Sequence, residues 1–117
     1  MTQHAPVQDL EAAAERYVRT VLALGRHDAD YVDAYYGPGE WKAEVDAAAL
    51  SLPAIHAEGE ALLAGLRTIT PPPSDTPTVR RHTFLVRQTA SLIARCRMLE
   101  GWVPSFDEES LALYDAV

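Results

Sequence analysis

Apolar residues recur along this chain at alternating steps of three and four positions, the spacing that places them on one side of an α-helix. Leu10, Ala14, Tyr17, Val21 and Leu24 form the first such stripe. Asp9 is placed to cap it, and Gly25, Arg26 and His27 have the composition of a helix C-terminus, a glycine for the left-handed turn beside cations that oppose the dipole. Asp28 predicts the cap of a second, short helix running to about Tyr36, with Asp30 in its first turn; Gly37-Pro38-Gly39 then breaks it. Trp41, Val45, Ala48 and Leu52 predict a third helix ending near Leu52. Ser51 as cap and Pro53 in the first turn open a fourth, whose stripe is Ile55, Gly59, Leu62, Leu66 and Ile69. Gly59 lies on that stripe, so a neighbouring helix is expected to approach closely there. Residues 71–77, Pro-Pro-Pro-Ser-Asp-Thr-Pro, form a proline-rich connection. Thr76 as cap and Pro77 at the first helical position then begin the longest helix, running to about Gly101, with the near-heptad stripe Leu85, Thr89, Leu92, Cys96 and Leu99.

Ser105-Phe106-Asp107-Glu108 has the form of a capping box, which predicts a last helix from Phe106. Leu111, Leu113, Tyr114 and Val117 give it an apolar stripe with no glycine, cation or polar tail to close it, so the helix reads as truncated. The expected fold is all-α: one domain over residues 1–117, an antiparallel array of five to six helices with short connections.

Charge changes this picture by its distribution. The formal net charge is -7, the wrong sign for non-specific attraction to phosphate, and no basic cluster suits a membrane surface; neither nucleic acid nor membrane is an expected partner. Between Asp28 and Glu60 stand eight acids and one base, Lys42; between Arg80 and Arg97 stand five arginines and no acid. Facing segments or solvated faces explain this simply. Arg80 with Arg87, and Arg81 with Arg95, nevertheless recur at multiples of seven, forming stripes open to a partner. One cysteine, Cys96, allows no internal disulfide, and no apolar run follows Met1, so a cytoplasmic location is expected.

No set of residues assembles a reaction. His4, His27, His56 and His82 are scattered, and no His-x-x-x-His or Glu-x-x-His pair exists to begin a metal site. Cys96 lies on the apolar stripe between Leu92 and Leu99, where a thiol acts as a small hydrophobe. The proline in Gly37-Pro38-Gly39 lacks the N–H that an anion cradle needs. What stands out is the run from His27 to Trp41, with Asp30, Asp33, Tyr31, Tyr35, Tyr36 and Trp41 around its turn. A helix there places the acids on one face and the aromatics on another. That arrangement could wall a groove for a cationic or peptide-like ligand, or the aromatics could pin the turn to the core while the acids face water.

The stretch from Leu22 to Trp41, together with Ser105 to Tyr114, resembles the N-terminal helical part of a group of bacterial zinc metallopeptidases, catalogued as a domain of unknown function. In that group the chemistry is expected from a downstream His-Glu-x-x-His helix, whose histidines hold zinc and whose glutamate acts as general base. The motif is absent here, so no catalytic or metal residue carries over, and zinc is expected only in a longer parent protein. Gly39 departs from the second proline expected in the turn. The resemblance implies a non-catalytic helical scaffold or substrate-cleft domain, whose partner is a downstream catalytic region or another protein. The alternative is a free-standing helical interaction module that binds through its acidic-aromatic turn.

Overall fold

A computed structural model of the chain describes residues 6–32, 35 and 37–101. They are all-helical: α1 (Pro6–Gly25), a single 3-10 turn at Ala29–Tyr31, α2 (Gly39–Ala48), α3 (Leu52–Arg67) and α4 (Thr76–Leu99). That is four α-helices against the five to six expected, and the helix expected from Phe106 lies outside the described residues.

α1, α3 and α4 pack on one another, while α2 packs on α1 alone among the described elements. Cross-links fix the directions. His56 near the start of α3 meets Glu100 at the end of α4, and Leu66 near the end of α3 accepts a hydrogen bond from His82 near the start of α4. These two helices are therefore antiparallel. Asp28, just past α1, meets Arg95 late in α4, so α1 and α4 run in the same direction, opposite to α3, and also pack on each other.

The core falls into two clusters. One gathers Leu22, Ala23, Leu24, Val45, Ile55, Leu92 and Cys96; the other gathers Leu10, Ala13, Leu62, Leu66 and Leu85. Tyr17 touches both, and its hydroxyl donates to Gln88 Oε1 at 3.4 Å. The expected stripe of α4 lies here, with Leu85, Thr89, Leu92 and Cys96 buried and Leu99 at the surface. Gly59 is in its expected role: a Cβ there would stand 3.1 Å from Ile93 Cγ1 and 3.2 Å from Leu92 Cδ2, so α3 and α4 approach as closely as a bare backbone permits.

Several boundaries differ from the sequence reading, each for a local reason. α1 starts at Pro6 rather than after Asp9, since a proline in the first turn gives up an N–H that has no helical partner anyway. Of the short helix expected from Asp28 to Tyr36, the described residues form one 3-10 turn, followed by extended Val32 at φ -127 and ψ 108. Asp28 makes no cap hydrogen bond, because Arg95 Nε holds its carboxylate at 2.7 Å. α2 ends at Ala48, not near Leu52: Ala49 turns left-handed at φ 47, and Leu52 opens α3 under the Ser51 cap, whose Oγ accepts from Ala54 N at 3.3 Å. α3 closes at Arg67, where Thr68 Oγ1 donates to Gly65 O at 2.7 Å and takes up a terminal carbonyl. The cap of α4 is Asp75 rather than Thr76. Its two carboxylate oxygens accept from Thr78 N at 3.3 Å and Thr78 Oγ1 at 2.6 Å, which a threonine hydroxyl could not do at once.

Candidate functional site

The turn between α1 and α2 holds its aromatic residues by packing. Tyr31, Val32, Tyr35 and Trp41 all rest against the first core cluster. Burial pushes the Tyr31 hydroxyl well above its ordinary range, with the nearby Tyr17 adding to the effect. The Tyr35 hydroxyl donates to Pro38 O at 2.6 Å and lies over Gly37, where any side chain would collide with the ring. Arg19 of α1 sits 5.3 Å above the Trp41 ring, a cation–π contact that ties α2 to α1. Asp30 is exposed, while Asp33 and Tyr36 lie outside the described residues. The structure thus joins Tyr31, Tyr35 and Trp41 on one inward side and leaves Asp30 facing water.

The acids downstream of the turn are met mainly by α1 and by Arg26 just past its end. Arg16 reaches Glu58 at 2.7 Å, Arg19 reaches Glu44 at 2.6 Å, and Arg26 reaches Asp46 at 3.2 Å. Hydrogen bonds from Lys42 and then Arg26 hold the Asp46 carboxyl below its usual range. From α4, Arg95 crosses to Asp28, whose side chain is 9% exposed. Arg95 therefore anchors the turn.

This leaves the outer side of α4. Arg80, Arg81 and Arg87 are exposed, and among the described residues no ion pair engages them. Phe84 lies between them, 56% exposed. Arg80, Phe84 and Arg87 follow at i, i+4 and i+7, so they form one ridge about 10 Å long. Phe84 was missed by the sequence reading, although the signal was present: it is an aromatic residue standing off the stripe Leu85, Thr89, Leu92.

The other ionisable groups have structural surroundings. Burial pushes the Cys96 thiol up to about 11, with Glu100 adding to it, so the sulfur is a poor nucleophile. His27 Nε2 donates to Leu50 O at 2.8 Å, and His82 Nε2 donates to Leu66 O at 2.6 Å. His56 lies between Glu100, 2.6 Å from Nδ1, and Glu60, 3.3 Å from Nε2. Among the described residues no group of three or more His, Cys, Asp and Glu side chains is placed to hold a metal ion, and no helix is long and apolar enough to cross a membrane. Comparison of the chain with protein families, with curated proteins and with solved structures finds no match.

Proposed function

We propose that this chain is a helical scaffold that holds a larger protein body through the outer ridge of α4. The observation that carries the reading is the unpaired set Arg80, Phe84 and Arg87, an exposed aromatic flanked by guanidinium groups without counter-ions among the described residues. Aromatic residues and arginine dominate the energetics of protein interfaces, because both bury large surface at low entropic cost and arginine adds directed hydrogen bonds. The aromatics of the α1–α2 turn rest on the core, which favours α4 over that turn as the docking face.

The resemblance to the helical front of zinc metallopeptidases supplies the partner: a catalytic body with a His-Glu-x-x-His helix, encoded downstream. In this reading the helices described here position that body or shape its cleft, and the zinc chemistry belongs to it. Reading the gene past the codon for Val117 tests this. A frame that continues into a segment encoding His-Glu-x-x-His supports the proposal, and a stop codon directly after Val117 overturns the metallopeptidase reading.

A further inference from the structure

A second surface, independent of the α4 ridge, has the form of a small-molecule site. α2 and α3 both pack on α1, but their backbones stay apart, no Cα of one lying within 8 Å of a Cα of the other, and a half-open slot of about 360 Å³ lies between them. That is within the range of pockets that take small ligands, about 300–1,000 Å³. Thr20 and Ala23 of α1, Val45 and Ala48 of α2, and Leu50 line it with apolar surface. The Thr20 hydroxyl is turned away from ligand duty, donating to Arg16 O at 2.7 Å.

The chain is shaped locally to keep this slot open. Ala49 takes a left-handed conformation at φ 47, unusual for a residue with a Cβ, so α2 stops abruptly and the chain swings to α3 without filling the gap. Leu50 then stands at the mouth, 38% exposed, its carbonyl held by His27 Nε2. Both signs of charge flank the apolar floor. On the α2 side Arg19 Nη1 meets Glu44 Oε2 at 2.6 Å, with Arg19 Nε also 3.0 Å from Glu15 Oε2; on the α3 side Arg16 meets Glu58 Oε1 at 2.7 Å from Nη2 and 3.0 Å from Nε. Ion pairs this exposed are worth little individually. A ligand carrying both charges can therefore exchange partners with them at small cost.

We propose that the slot between α2 and α3 binds an apolar zwitterion, a free aliphatic α-amino acid, with its side chain on Ala23, Val45, Ala48 and Leu50. Its carboxylate faces a rim guanidinium, Arg16 or Arg19, and its ammonium faces Glu44 or Glu58. A ligand with one charge would leave half of the rim unused. The N-terminal residue of a peptide offers only the ammonium and the C-terminal residue only the carboxylate, which separates these sources from the free amino acid.

The test is an NMR titration of the full chain, following backbone amides, with L-leucine, leucinamide and N-acetylleucine as probes. Saturable shifts confined to residues around Thr20, Ala23, Val45, Ala48 and Leu50 are expected with L-leucine, at a dissociation constant of about 1 mM, and both single-charge analogues should bind about tenfold more weakly or worse. Ala48→Trp fills the slot from an exposed helix position and should abolish the shifts; Ala47→Trp, which does not line the slot, should retain them, and thermal melts confirm that both variants fold. The proposal is overturned by any of three results: no saturable shift with L-leucine up to about 50 mM, equal or tighter binding of either analogue, or full binding by a folded Ala48→Trp variant.

Discussion

Replacing Thr89 by valine should make this protein more stable, which is unusual for a change at a fully buried position. Thr89 is 0% exposed on the core side of α4, and its Oγ1 is the one buried side-chain polar atom among the described residues that has no hydrogen-bond partner. Leaving a hydroxyl unpaired in the interior costs about 1–3 kcal/mol relative to water. Valine has nearly the same shape and a similar helix propensity, so the substitution removes that cost while the methyl contacts stay. The expected gain is about 1 kcal/mol, equivalent to a melting temperature higher by about 4 °C in a chain of this size. Urea unfolding should show the midpoint rising with an unchanged slope. Thr89→Ser, which keeps the hydroxyl and loses the methyl, should cost about 1 kcal/mol. A loss of about 1 kcal/mol or more in the valine variant would refute the reasoning, since it would mean that the hydroxyl has a partner in the folded protein.

Other perturbations test the packing and the charges. Gly59→Ala should lower stability by about 1 kcal/mol, because crowding of Ile93 and Leu92 by the new Cβ outweighs the gain in helix propensity; a stabilised variant would show that α3 and α4 can separate freely. Arg95→Met leaves the Asp28 carboxylate buried without its cation and should cost about 2 kcal/mol, while adding Asp28→Asn should recover about half, as a double-mutant cycle by urea unfolding would show. At alkaline pH the raised pKa of Cys96 predicts a loss of stability. The folded state holds the thiol proton more tightly than the unfolded chain, so the contribution is complete below about 9 and fades as the pH rises through about 11. Tyr31, also raised by burial, continues the fall at higher pH, and Cys96→Ala should flatten only its first part in melts recorded across this range.

Much of the fold was legible because helical periodicity depends on few local facts. The stripes of α3 and α4 are buried almost as read, the Ser51 cap and Pro53 open α3, and Gly59 lies where two helices meet. The errors arose where a distant residue outbid a local preference. Asp28 has the composition of a cap, yet Arg95, 67 positions away in sequence, takes its carboxylate, and the described residues that follow it form a single 3-10 turn. Ala49 in a left-handed conformation could not be foreseen either, since glycine or asparagine is the usual residue at such a position. For the candidate surfaces, the sequence showed the arginine stripes but not which arginines are already committed. Arg95 is paired, whereas Arg80 and Arg87 flank an exposed Phe84, and only the packing of α4 separates the two cases. The slot between α2 and α3 left no trace in the hydrophobic pattern, because its lining comes from three helices and a connection that only the tertiary packing brings together.

The central claim, that the outer ridge of α4 is a docking face, is tested most directly by thiol labelling at Phe84→Cys. The native Cys96 is buried with its thiol pushed up to about 11, so it serves as a silent background at neutral pH. A maleimide should label the introduced cysteine rapidly in the 117-residue chain, and the proposal expects labelling at least about tenfold slower in the longer protein that it posits, in which the partner body would cover the ridge. Equal labelling rates in the two proteins would contradict the account.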